Sequence, residues 1–382
     1  MGASGARLSA RPARSVVRGA VRAALSDLAP GERVLVALSG GPDSLALLAA
    51  TVRVAADEGL LCSAVVVDHG LQADSAQIAA HAVEQARLLE CSDAHVVRVE
   101  VSRGPGRGGP EASARRARYR ALEAEAEEGN RRRRASAVLL GHTLEDQAET
   151  VLLGLARGSG LRSLAGMAAV NGLYRRPLLE VPRHVVRAAA QQEADQDARL
   201  TPWVDPHNED VRFARARVRA TLLPHLEAAL GPGVTTGLVR TAALARQDAQ
   251  ALDGWADAVW NALRAGGAIR LAEDDPGPDG STEQLGALAV AALARSHSAS
   301  SGSATSSGSP APPGVDPVPA AIQMRIIRRL LMAAGCPSGA LTSQHVQAVT
   351  ALLVGPEHNS AVIALPAGRQ ARREGSHIRV RV

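Results

Sequence analysis

Ser39-Gly40-Gly41-Pro42-Asp43-Ser44 stands directly after the apolar run Val34-Leu-Val-Ala-Leu38 and directly before a helical pattern from Ser44 to Ala56. A buried strand, a glycine-rich turn and a helix start in that order make a cradle for an anion. The glycines let the backbone approach closely, successive N–H groups point inward, and the helix start adds partial positive charge. A plain tight turn is the alternative reading, since glycine, proline and serine all favour turns.

Outward from this loop, short β-rich runs alternate with longer helical patterns. Strands are predicted at Ala64 to Asp68, Ala94 to Val101 and Ala137 to Gly141, with helices at Ser75 to Glu90 and Glu111 to Glu128. That alternation predicts an α/β fold, a doubly wound parallel sheet covered by helices, occupying residues 1–225. After Asp205 the pattern turns helical, at Leu222 to Leu230 and Thr235 to Leu263, which predicts a helical part over 226–295. Residues 296–319 are almost entirely Ser, Ala, Gly and Pro and read as a flexible linker. Two short helices, Ala320 to Ala334 and Ser343 to Val354, then precede an alternating tail from Ala361, so 320–382 reads as a small α+β unit. Gly104 to Gly109 reads as a Gly-rich loop between the third and fourth strands, and the Arg131 to Arg134 run is expected at the surface.

Composition removes several classes of function. All 43 basic residues are arginine, so a Walker lysine, a Schiff-base lysine and a lysine general base are excluded. Aromatic residues make up 2% of the chain, too few for the base-stacking platforms of single-strand binding modules. Cys62, Cys91 and Cys336 form no C-x-x-C pair, which argues against a zinc ribbon, a cluster site or a disulfide framework and suits a reducing, cytoplasmic setting. No apolar run reaches the length of a membrane span. The arginines between Arg7 and Arg22 read as a basic helix, with a targeting segment as the alternative.

Further segments carry candidate chemistry. Asp68 and His69 close the second strand, at the carboxyl edge where open α/β sheets bind ligands; a capped turn would explain them equally. Glu111, Arg115, Arg118 and Tyr119 share one helical face, which could also be an ordinary solvated face. His142 closes the fourth strand, and Glu145, Asp146 and Glu149 crowd the next helix start, where capping alone favours acids. Arg215, Arg217 and Arg219 cannot all share one helical face. They read as RNA phosphate contacts or, alternatively, as a structural lock with nearby acids.

The loop resembles that of the PP-loop family of ATP pyrophosphatases (N-type), which cleave ATP between the α and β phosphates and place AMP on a substrate oxygen. Four segments narrow the resemblance to the tRNA(Ile)-lysidine synthases: Val67-Asp-His-Gly-Leu71, Glu111 to Tyr119, Gly141 to Thr150 with Arg157 to Gly160, and Arg176-Pro-Leu-Leu179 with Trp203 to Asp210 and Phe213 to Pro224. The resemblance covers roughly Val34 to Leu226. It implies ATP and Mg²⁺ as cofactors, a CAU-anticodon tRNA(Ile) and free L-lysine as partners, and a lysine-to-cytidine bond formed through an adenylated tRNA. A homodimer is left open. It also implies that Ser39, Gly40, Gly41, Pro42, Asp43, Ser44, Asp68 and His69 bind the nucleotide, and that Asp43 and Asp146 hold the metal. Asp43, Asp146, Arg115 and His142 are then catalytic, Arg215, Arg217 and Arg219 bind tRNA, and the 226–295 part helps to recognise it. The sequence departs from the family at Thr143, where a second histidine is usual, at Glu145 in place of aspartate, and at Ala216 in place of asparagine. Asp146 is therefore preferred to Glu145 as the essential acid. Another adenylating PP-loop enzyme, such as a tRNA thiolase or an amidating synthetase, and a non-catalytic RNA-binding protein remain the alternatives.

Overall fold

The computed structural model describes residues 12–70, 74–91, 93–101, 109–128, 134–158, 160–203, 212–271, 284–289, 293, 318–354 and 361–381. The chain divides into two compact units, 1–244 and 245–382.

The first unit is built on a six-stranded sheet in the order β3-β2-β1-β4-β6-β5. Its strands are β1 (Arg33–Ala37), β2 (Leu61–Asp68), β3 (Asp93–Arg98), β4 (Ala135–Leu139), β5 (Val170–Asn171) and β6 (Tyr174–Arg175). All pairs are parallel except β5 with β6. Because β1 is central, its residues are buried on both faces. Val34 and Val36 pack into one apolar cluster, Leu35 into the other. The first cluster is covered by α1 (Ala13–Ala24), α2 (Pro42–Glu58), α3 (Ser75–Leu88) and α7 (Arg183–Ala194); the second by α4 (Gly109–Glu128), which contributes Leu122 and Ala126. Helices on both faces explain why β1 reads as a continuous apolar run instead of an alternating one.

The strand order places β1 between β2 and β4, so the chain leaves β1 for one side of the sheet and returns to the other. A crevice opens at the carboxyl end of such a switch point. The β1–α2 loop, the end of β2 and the β4–α5 loop all open there, α5 being Leu144–Ala156. The unit continues through α6 (Leu161–Leu164), α8 (Ala214–Arg217), a π-helical turn at Val218–Leu222, α9 (Leu223–Leu230) and the start of α10 (Val234–Ala265). Val218 and Leu223 pack on Ala148 of α5, which brings the arginine-rich segment to the acid-rich helix.

The second unit holds a five-stranded sheet in the order β7-β8-β11-β10-β9, formed by β7 (Ile269–Leu271), β8 (Gln284–Ala289), β9 (Val362–Ala364), β10 (Gln370–Glu374) and β11 (His377–Arg381). It is antiparallel throughout. With α11 (Ala320–Ala333) and α12 (Ser343–Ala351) it encloses one apolar cluster that includes Ile322, Ile326, Leu330 and Ile378. The sequence reading divided the chain at 225 and 295. The contacts divide it at 244, and β8 pairs with β11, so chain on both sides of 296–319 builds one sheet. Of that expected linker, 296–317 lies outside the described residues, while Val318 is 4% exposed in the core and Pro319 precedes α11. The Gly104 loop up to 108, the Arg131–Arg133 run and 204–211 also lie outside the described residues.

Candidate active site

The loop closes as its residues require. Gly40 has φ +80°, and a Cβ there would stand 3.1 Å from that of Ala82, so both the backbone conformation and the space demand glycine. Gly41 precedes α2, and Pro42 opens it, a position where the missing N–H costs nothing. Ser44 Oγ accepts from Ser39 N–H at 3.2 Å, lies 3.1 Å from Ser39 Oγ and donates to Gly41 O at 2.9 Å. Trp203 N–H donates to Gly40 O at 3.0 Å. Gly141, at the end of β4, comes so close to Asp43 that a Cβ would meet the Asp43 carbonyl oxygen at 3.4 Å.

Around this loop the structure gathers five charged side chains. Thr143, fully buried, opens α5, and its N–H and hydroxyl both bond Asp146 Oδ2, at 2.8 and 3.0 Å. The departure from histidine at 143 thus supplies a helix cap. Asp146 Oδ1 accepts from Arg183 Nη2 at 2.7 Å and from Arg219 Nη2 at 3.0 Å. Arg219 also binds both oxygens of Glu149, at 2.7 and 3.2 Å, and Glu149 is 0% exposed. Arg183 Nε reaches Asp43 at 3.7 Å, while Asp43 Oδ1 is buried with no partner. Glu145 faces elsewhere, accepting from the Arg183 backbone N–H at 2.8 Å and so capping α7.

Burial and charge compete at each acid. Burial raises the Asp43 and Glu149 carboxyls above the usual range, and the arginines do not fully reverse it. At Asp146 burial also opposes ionisation, but Arg183, the Thr143 N–H, His142 and Arg219 together hold the group below the ordinary value. His142 is driven down to about 3, by burial first and then by Arg118, Arg176 and Arg115 against the opposing pull of Asp146. It is a neutral imidazole whose buried Nδ1 has no partner.

The remaining candidates divide. Asp68 is 5% exposed, and its Oδ1 accepts from Gly70 N–H at 2.9 Å, the capped-turn arrangement. His69 beside it is lowered by burial and by Arg118. Arg115 donates to Tyr119 Oη at 3.1 Å. Among the three arginines expected to meet RNA, Arg219 is instead the bridge between Asp146 and Glu149. Arg217 is exposed and donates to Arg212 O at 2.7 Å, and Arg215 lies near enough to Arg118 to act on its charge.

A PP-loop domain matches residues 15–226, more than half of the chain. The tRNA(Ile)-lysidine synthase of Thermobifida fusca is 45% identical over 370 residues, which are 96% of this chain and 97% of its own. That of Streptomyces coelicolor is 43% identical over 351 residues, 91% of this chain and 85% of its own. The chain belongs to the tRNA(Ile)-lysidine synthase family.

For a lysidine synthase the charge balance of the site is informative. Asp43, Asp146 and Glu149 face Arg183 and Arg219, and Arg187 also acts on Asp43, so three acids are set against three arginines. Of the two expected metal ligands, only Asp43 offers an oxygen; both oxygens of Asp146 are already engaged. Among the described residues no three His, Cys, Asp or Glu side chains are grouped to hold a metal ion. Sequence reasoning missed Arg183 as a site residue. Its signal is an arginine in the first turn of a helix, where the dipole disfavours a cation unless acids stand opposite. Among the described residues no helix is long and apolar enough to cross a membrane.

Proposed function

We propose that the chain is a cytoplasmic ligase that joins free L-lysine to C2 of the wobble cytidine of CAU-anticodon tRNA(Ile), releasing AMP and diphosphate from ATP through an adenylated tRNA. The observation that carries this reading is 45% identity to a lysidine synthase over 96% of the chain. The glycine cradle at a helix start supports it.

The residues take the following parts. Backbone N–H groups of Gly40 and Gly41, with the start of α2, bind the leaving diphosphate, and Ser39 and Ser44 hold the loop in shape. Asp68 fixes the turn that presents His69 to the nucleotide. Asp43, through its free oxygen, would hold Mg²⁺, which supplies neutralisation of phosphate charge when bound. Asp146, kept ionised by its arginines, orients the lysine ammonium. His142, neutral, serves as a hydrogen-bond acceptor and not as an acid. Arg115 faces the charge that develops on the reacting groups, and Arg215 and Arg217 bind RNA phosphates.

Incubation with ATP, isotopically labelled lysine and CAU tRNA(Ile) tests this. Label is expected in the RNA only when ATP is present, and not in a methionine tRNA with the same anticodon. No label in any RNA would remove the assignment.

A further inference from the structure

Three guanidinium groups, those of Arg115, Arg118 and Arg176, lie near enough to His142 to act on its charge. Arg115 and Arg118 come from one turn of α4, and Arg176, 7% exposed, follows β6. They are organised on Tyr119. Arg115 donates to its hydroxyl at 3.1 Å and lies 4.9 Å from the ring centroid, Arg118 lies 5.8 Å from it, and Arg176 lies near enough to favour ionisation of the same hydroxyl. Tyr119 in turn packs edge-on against Tyr174 at 4.9 Å, so both tyrosines of the chain stand here.

Among the described residues none of the three arginines forms an ion pair with an acid. The Nε atoms of Arg118 and Arg176 are buried with no hydrogen-bond partner, although Arg176 Nη1 donates to Ala168 O at 2.8 Å. Buried donors without acceptors and like charges held together both cost free energy, and a bound anion relieves both. The same groups act outward: with burial, they keep His142 and His69 neutral, so no neighbouring imidazole adds to the positive charge or shares a proton with it. A guanidinium fork fits phosphate oxygens two at a time.

We propose that Arg118 and Arg176, aligned with Arg115 on Tyr119, form a second phosphate subsite that takes a phosphodiester of the RNA substrate next to the base that reacts. This rests on the proposed RNA-directed activity. The glycine cradle already serves the phosphates of ATP, whereas a base extruded for reaction is positioned only when its backbone is gripped. With aromatics at 2% of the chain, that grip must come from arginine.

The test compares wild type with Arg118→Gln, Arg176→Gln and Tyr119→Phe, reading tRNA affinity against salt, ATP affinity and thermal midpoint. It also uses tRNA carrying one uncharged methylphosphonate at a linkage flanking the wobble cytidine. Arg118→Gln and Arg176→Gln are expected to weaken tRNA binding about tenfold or more and to reduce the salt slope by about 0.7, with ATP affinity unchanged. The methylphosphonate should weaken wild type similarly and add nothing to either variant. Tyr119→Phe should give a smaller shift in the same direction. Unchanged tRNA affinity in both arginine variants, with a lowered midpoint, would overturn the proposal in favour of a structural role. Weakened ATP binding with intact tRNA binding would overturn it in favour of a nucleotide phosphate. Wild type that shows the charge dependence but transfers no lysine would overturn the activity and leave the subsite standing.

Discussion

Arg183 Nη2 lies 2.7 Å from Asp146 Oδ1, a bond that ties the first turn of α7 to the first turn of α5 across the mouth of the glycine loop. The same arginine reaches Asp43 and Glu149 at 3.7 Å, so one buried cation touches three of the acids around the site. Arg183→Gln should destabilise the fold by about 3 kcal/mol at neutral pH, because it leaves buried carboxylates short of a partner. Arg183 is the foremost group holding Asp146 below its ordinary value of 3.8. The stability it provides is therefore present above that pH and lost below it, and the curves of wild type and variant should converge under acid. Denaturant unfolding at several pH values checks this; a constant difference down to strong acid would contradict it. Turnover should fall at least about tenfold, read against Arg183→Lys, which keeps the charge but not the fork.

Gly40→Ala should abolish AMP release and lower the thermal midpoint, since φ +80° strains any L side chain and its Cβ would crowd Ala82. Adding Ala82→Gly relieves the crowding but not the backbone strain. The double variant is therefore expected to regain part of the stability and little of the activity; full recovery would mean that the loop tolerates another conformation.

His142, held at about 3, should show no titration by nuclear magnetic resonance between pH 5 and 8. Its folded value lies below the unfolded one, so the neutral form stabilises the fold above about pH 6.5, and that contribution shrinks as pH falls toward 3. Between pH 6.5 and 5 the wild type should lose about 1–2 kcal/mol that His142→Gln does not lose. Equal acid sensitivity of the two proteins would show that the imidazole is exposed to protons.

Arg217 and Arg219 should separate cleanly. Arg219→Gln removes the main partner of Glu149, a fully buried acid, and is expected to lower the midpoint by several degrees. Arg217→Ala should leave the midpoint unchanged and weaken all tRNAs alike, with a shallower salt dependence. If Arg217→Ala unfolds the protein instead, its contacts are structural.

Much of this site was legible because its signals are local. A continuous apolar run, two glycines and a helix start within a few residues define the loop; Asp68 and His142 follow strands that the same periodicity marks, and Asp146 stands in the first turn of the next helix. What was not legible depends on distant pairing. Strands β5 and β6 are two residues long and have no period to read. Strand β8, Gln-Leu-Gly-Ala-Leu-Ala, has weak β propensity, and its partner β11 lies far along the chain. Arg176 reads as part of a motif but not as a member of an arginine cluster, because Arg115 and Arg118 reach it only when α4 packs beside β4. Arg219 was read towards RNA; the packing of Val218 and Leu223 on α5 turns it to the acids instead.

The most direct test of the account is a staged reaction with ATP labelled in the α phosphate and CAU tRNA(Ile), first without lysine and then with it. Without lysine, diphosphate is expected to be released as label enters the RNA. Adding lysine should chase the label into free AMP while the amino acid joins the RNA. Release of labelled AMP in the first stage with no RNA-bound label, or transfer of lysine from a pre-formed lysyl-adenylate, would contradict activation of the tRNA at this site.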